Sequence, residues 1–334
     1  MTETFVSYSL IAVYSAMAIY TFAFILFAVD LARRSAESSD ASAASATGLA
    51  SASAQQASVM AQNSAAGGTS TLTAPAGPDA EPRAPKSPLS LKLAMAMTVL
   101  AWALHVSAVI FRGVAAGRVP WANMFEFTLT ATALIVGVFL AVQFWQDLRF
   151  LGSFITGFAL LALGVGTSSF YVDVVPLPPA LQSAWLVIHV FVASLSTGFF
   201  ALAAGLSIVQ LMQARREAGK ALKLRFLDTL PAADRLETLA YRLTVVGFVM
   251  WTFTLIAGAV WAERAWGRYW GWDTKEVWTF IIWTLYAGYI HARATRGWRG
   301  SRSAWLAIVG FLAIVFNFTI VNLFFKGLHA YSGL

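Results

Sequence analysis

The chain alternates long apolar runs with short polar breaks. Eight runs approach or exceed the roughly 20 residues that a helix needs to cross a bilayer. They are 6–29, 93–111, 127–146, 150–172, 183–212, 243–262, 277–291 and 303–325. The seventh is short, and its helix is expected to start inside the polar, tryptophan-rich stretch before it. No water reaches the lipid core to satisfy bare backbone groups, so each run is read as a helix. The pattern predicts an all-α integral membrane protein, a polytopic bundle of about eight transmembrane helices. Two segments break the rhythm. Residues 35–82 are rich in Ala, Ser and Gly, as in "SSDASAASATGLASASAQQAS", and read as a low-complexity linker without fixed structure. Residues 213–242 carry a helical period in "ADRLETLAYRL", opened by Pro231 and Ala232. That piece reads as an amphipathic connector on the membrane surface. The chain divides into a first transmembrane helix at 1–32, a cytoplasmic linker at 33–90 and a membrane core at 91–334.

Composition agrees. Charged residues make up 12% of the chain and hydrophobic ones 58%, against about 25% charged in soluble domains. The first run has no basic segment ahead of it and no small-residue cleavage site behind it, so it is expected to be a span rather than a signal peptide. The basic residues set the orientation. With the N-terminus outside, 17 of the 23 Lys and Arg fall on inner loops. Both termini then lie on the outer face of a plasma membrane. The net charge of +7 is a topology signal, and no nucleic-acid partner is expected. The chain has no cysteine, so it does no thiol chemistry of its own.

Candidate chemistry gathers at the outer ends of the helices. "WAERAWGRYWGWDTKEVW" at 261–278 holds five tryptophans, and seven of the 13 in the chain fall between Trp251 and Trp283. An interfacial aromatic belt explains scattered tryptophans but not this density, nor the acids Asp273 and Glu276 at the start of the seventh helix, where they can cap it. In helical geometry Trp266, Trp270 and Asp273 share one face, a flat platform. Of four histidines, His189 lies near the outer end of the fifth helix and His329 just past the eighth. Two imidazoles beside a tryptophan surface suit a flat, metal-containing ligand such as haem. Arg118, Arg264, Arg268, Lys275 and Lys326 are the outer cations able to pair with its propionates. His291 sits at the opposite end of the seventh helix, as a structural histidine or part of a second, inner site. His105 is either a core histidine or an accessory ligand.

"WGRYWGWDTKE" at 266–276 resembles the tryptophan-rich (WWD) signature of haem-handling proteins of cytochrome c biogenesis. With "PWANMFEF", "WLVIHV", "LPAADRLETLAYR", "YAGYIHAR", "RGWRG" and "VNLFFKGLHAYSG" in the same order, residues 90–334 resemble the CcsA family (CcsB in some lineages) of the System II pathway. The resemblance implies haem transport and presentation at the extracytoplasmic face, for covalent thioether attachment to the CxxCH motifs of apocytochrome c. His189 and His329 match the family's outer axial ligands. Trp266, Gly267, Trp270, Trp272, Asp273 and Glu276 match its haem platform, with Arg264 and Arg268 as propionate contacts. His291 matches its inner transmembrane haem site. Haem b is then cargo. The implied partners are a ResB-type (Ccs1-type) membrane protein, apocytochrome c and a thiol-reducing thioredoxin-like protein. The chain supplies no catalytic group of its own and is expected to be a subunit of a cytochrome c haem lyase (synthase) complex. Two rivals stand beside this reading. A membrane transporter predicts internal repeats, and none is found. A haem-b electron-transfer subunit predicts paired histidines at both membrane faces.

Overall fold

The computed structural model describes residues 2–63, 89–220, 224–325 and 327–329. Among these residues the fold is helical, with no strand. The long helices are α1 (Thr2–Asn63), α2 (Leu89–Ala116), α3 (Met124–Val142), α4 (Gly152–Ser169), α5 (Ala184–Glu217), α6 (Ala233–Trp266), α7 (Thr274–Ala294) and α8 (Ser301–Phe324). All but α7 are long and apolar enough to cross a membrane, the first within Thr2–Glu37. The protein is a multi-pass membrane protein.

Helix α7 has 21 residues, enough for about 30 Å. Its apolar character is diluted by Trp278, Thr279, Trp283, Thr284, Tyr286 and Tyr289. It nevertheless runs the depth of the bundle, because both its ends are tied. Asp273 at its start bonds His329 beyond the end of α8, at 2.7 Å. Arg293 in its last turn pairs with Glu237 at the start of α6, at 2.9 Å.

The bundle has two halves. In one, α1 packs on α2 and α4, and α3 lies against α2 and α4; in the other, α7 packs between α6 and α8. Helix α5 joins them, touching α3 on one side and α6 and α8 on the other. At the basic end, opposite the tryptophan stretch, Glu237 gathers Arg293, the Ser303 hydroxyl (3.1 Å) and the Gly300 N–H (3.0 Å). The "RLETLAYR", "YIHAR" and "RGWRG" segments thus meet as one structural clasp.

Two expectations change. Helix α1 continues without a break to Asn63, through the first part of the segment read as unstructured. Its alanine-rich composition has the best helix propensity of any residue type. The rest of that linker, 64–88, lies outside the described residues. "ADRLETLAYRL" is not a separate surface helix but the opening turns of the 34-residue α6. Glu237 points inward there to its ion pair, so the apparent amphipathic face is a packed one.

Candidate functional site

The tryptophan stretch is two helix ends and a loop. Helix α6 stops at Trp266 because Gly267 adopts a left-handed φ of 68° and gives its N–H to the Glu263 carbonyl at 2.7 Å, a glycine C-cap. Helix α7 begins at Thr274. The single helical face expected from Trp266, Trp270 and Asp273 therefore does not form. Tertiary folding brings Trp266 and Asp273 together instead, around His329.

Glu276 organises the loop. Its Oε2 accepts the N–H of Gly271 at 2.8 Å and of Asp273 at 3.0 Å, one from each side of Trp272. These converging bonds hold Trp272 at φ 61°, a costly conformation for a bulky residue. Its ring is 77% exposed and meets Trp270 edge-on at 5.9 Å. Asp273 and Glu276 form a capping box on α7, as their position in the sequence predicted.

Below this loop lies a cavity of about 430 Å³ between the two halves, lined by residues from α3, α4, α5, α6, α7 and α8. That size suits a small-molecule ligand. Its walls are apolar, with Phe127, Phe158, Trp251, Trp261, Trp270 and Phe318 among them. His189 and His329 both line it. The His189 Nδ1 lies 2.9 Å from the Thr254 carbonyl oxygen, and the His329 Nδ1 lies 2.7 Å from Asp273 Oδ2. A carbonyl and a carboxylate only accept, so both imidazoles carry a proton on Nδ1. That leaves Nε2 as the ring nitrogen turned to a ligand, the arrangement by which proteins orient metal-binding histidines.

Trp261 joins the pair. Its ring lies 6.0 Å from His189, nearly parallel, and 5.3 Å from His329; Trp266 lies 4.8 Å from both Trp261 and His329. Sequence reasoning did not single out Trp261. It lies on the inward face of α6, lining the cavity, while Trp272 in the loop turns out. Gly258, one turn before it, leaves room for the His189 ring: a Cβ there would sit 2.7 Å from its Cε1.

The tail is anchored from the same side. Asp273 Oδ1 accepts the Leu328 N–H at 2.9 Å. Gly327 has no side chain to collide with that carboxylate. The hydrogen bond from His329 holds the Asp273 carboxyl down at about 2, against the opposing effect of burial. It is therefore ionised at neutral pH, and stability that rests on it fades only as pH falls toward that value.

The cations sort differently from expectation. Arg264 is exposed and Arg268 turns to Glu276 at 3.5 Å and over the Trp266 ring at 6.0 Å; neither lines the cavity. Arg118 and Arg112 are committed to buried Glu126, at 2.6 and 3.1 Å. Glu126 also accepts the Ala122 N–H at 3.0 Å, so this cluster pins the "PWANMFEF" turn. Lys326 lies outside the described residues. Lys275 does line the cavity. The acids beside it are engaged elsewhere, Asp273 by the tail and Glu276 by the loop.

The remaining histidines separate cleanly. His105 is fully buried, with Nε2 2.8 Å from the Leu129 carbonyl and Nδ1 3.5 Å from the Tyr20 hydroxyl; it is a core histidine. His291 is exposed in the last turn of α7, at the basic end and away from the cavity. Among the described residues no group of three or more His, Asp and Glu forms a metal site.

The family model for cytochrome C assembly proteins matches residues 90–329. The chain is 34% identical over 240 residues to the cytochrome c biogenesis protein CcsA of Guillardia theta, covering 67% of this chain and 80% of that one. It is 34% identical over 268 residues to the CcsA of Parasynechococcus marenigrum, covering 71% and 85%. The CcsA of Porphyra purpurea is 33% identical over 287 residues, covering 73% and 88%.

Proposed function

This chain belongs to the CcsA family of cytochrome c assembly proteins and acts in cytochrome c biogenesis; on that premise we propose that its cavity receives haem b as cargo and presents it to apocytochrome c. His189 and His329 are the axial ligands, one from α5 and one from the tail. The observation that carries this reading is the matched pair of imidazoles, each with Nδ1 given to an acceptor and Nε2 free, on one tryptophan-walled cavity. The donor set fits haem: two imidazoles, flat apolar walls and the Lys275 ammonium for a propionate. Of the outer cations first considered for that role, Lys275 is the one on the cavity wall, whereas Arg264 and Arg268 lie off it.

The chemistry of attachment belongs to cargo and client. Each client thiol adds S–H across a vinyl double bond, and no oxidant is consumed. This chain has no nucleophile to offer. Its contribution is to hold the porphyrin still and exclude water. The cavity lies on the extracytoplasmic side of the plasma membrane, under the loop held by Glu276. Trp270 walls it, and Trp272, held outward, meets the client. Domain roles follow: 91–334 handles haem, while 1–32 and 33–90 anchor and connect. A ResB-type partner completes an inner site at His291, and a thioredoxin-like protein keeps the client thiols reduced. Together they form a cytochrome c haem lyase. An electron-transfer subunit would pair histidines at both faces, whereas His105 is locked in the core and His291 has no second imidazole beside it.

The test is the visible spectrum of the purified full chain titrated with haem. Wild type should give a low-spin, two-imidazole spectrum. His189→Ala and His329→Ala should each lose it and regain it on addition of imidazole. Unchanged spectra in both variants would remove the haem from this cavity.

A further inference from the structure

His291 and the cavity are separated by a packed layer. Phe200 and Tyr286 stack at 3.6 Å, and the Trp251 ring lies 6.2 Å from Phe200. Ile282 and Tyr286 are fully buried beneath the cavity floor. His291 instead lies on an outward stripe of α7 with Phe280, Thr284 and Gly288, all exposed.

The cavity is open on its flank. Leu161 and Val165 of α4 line it, yet are 69% and 41% exposed. Helix α4 meets α8 through Phe158 and Phe311, ring centroids 6.0 Å apart. Nearer the tryptophan end, Phe127 of α3 stacks on Phe318 of α8 at 4.9 Å. Between these crossbars about 10 Å of α4 presents Leu161, Ala162 and Val165 across from Ile314 and Val315 of α8, all cavity-lining. These levels lie within the membrane-crossing parts of α4 and α8, so the gap faces lipid. An aliphatic frame between two aromatic pairs admits a flat apolar molecule edge-on, and its lack of charge does nothing to draw ions.

We propose that the cavity loads from the bilayer, through this window between α4 and α8, with a planar amphipathic ligand sliding in ring-first and its carboxylate edge turning up to Lys275. For haem, which rests on the reading above, the route from His291 to His189 and His329 then runs along the lipid-facing surface rather than through the interior.

The chain has no cysteine, so one introduced thiol can be labelled cleanly. The experiment reconstitutes full-length Leu161→Cys into phosphatidylcholine vesicles, alkylates it with pyrenyl maleimide and mixes it with haem-loaded vesicles. The growth of the two-imidazole spectrum is then followed. Labelled Leu161→Cys should load at least tenfold more slowly than its unlabelled form, to the same final absorbance. Labelled Val249→Cys, on the exposed face of α6 (64% exposed), should load at the unlabelled rate. An unchanged rate for labelled Leu161→Cys would overturn the window, as would equal slowing at Val249→Cys or a reduced final absorbance without slowing. If wild type takes up no haem at all, the haem reading fails and takes this one with it. Uptake by wild type with no effect of the label sinks the window alone.

Discussion

Gly258→Ala separates the site from the fold. Gly258 lies within α6, so a methyl group there favours the helix by about 1 kcal/mol. That methyl would sit 2.7 Å from the His189 Cε1 and 2.8 Å from its Nδ1. Ordinary contact needs 3.4 Å or more, so the ring must retreat by roughly 0.7 Å, the difference between those distances. It cannot do so and keep its 2.9 Å bond to the Thr254 carbonyl, because Thr254 is one turn earlier on the same helix as the new methyl. A misplacement of this order at a reacting or ligating group costs on the order of 100-fold.

The expected result is a protein that melts at or above the wild-type temperature and binds haem about 100-fold more weakly. Haem titration at the visible band measures the affinity, and thermal denaturation of the same sample measures the fold. The loss should appear as one missing ligand, with a high-spin component that free imidazole abolishes. Wild-type haem affinity in Gly258→Ala would refute the reasoning, because it would mean that the position of the His189 ring does not matter. A large fall in melting temperature would refute it differently, by showing that the close approach serves helix packing.

Three further substitutions probe the other parts. Asp273→Asn keeps a good N-cap for α7 but gives up the charge-assisted bond to His329, and should weaken haem binding about 10- to 100-fold with little change in melting; equal affinity would reduce Asp273 to a cap. Trp272→Gly relieves about 1–3 kcal/mol of backbone strain and loses an edge contact worth about 0.5–1.5 kcal/mol, so stability should stay near wild type while the yield of matured cytochrome c in cells falls; a sharp drop in melting temperature would make the ring structural. Glu126→Gln leaves Arg112 and Arg118 facing a neutral amide and should cost about 3–5 kcal/mol, read by thermal denaturation; a loss under about 1 kcal/mol would show that this buried cluster is well hydrated.

The helices were legible because the bilayer demands long apolar runs, and the caps because capping chemistry is local. Asp273 and Glu276 were read as helix-start residues from their neighbours alone. The loop defeated the same reasoning. Assuming helical geometry across the tryptophan stretch put Trp266, Trp270 and Asp273 on one face, and one left-handed glycine dissolved that face. The right residues nevertheless met, because the tail docks on Asp273 and carries His329 to Trp266, a long-range event with no periodic signature. Arg264 and Arg268 were chosen for charge and proximity in sequence. The direction of a side chain at a helix end depends on where that helix stops, and this point moved. Trp261 was overlooked since density drew attention to the loop, whereas burial at 2% marks it as the centre of the cluster.

The two ligand candidates come from parts of the chain that need each other. His189 rides on α5, which packs on α3 in one half and on α6 and α8 in the other, and its Nδ1 is held by α6. His329 is held by the first residue ahead of α7. Drawing α6 and α7 apart would therefore uncouple the imidazoles without breaking either helix. Because α5 contacts α3 on one side and α6 and α8 on the other, the same splaying would widen the gap between α4 and α8. On the proposed function and loading window, release of the attached product and admission of new cargo would be one motion, with the Phe127–Phe318 and Phe158–Phe311 contacts as the parts that must give way.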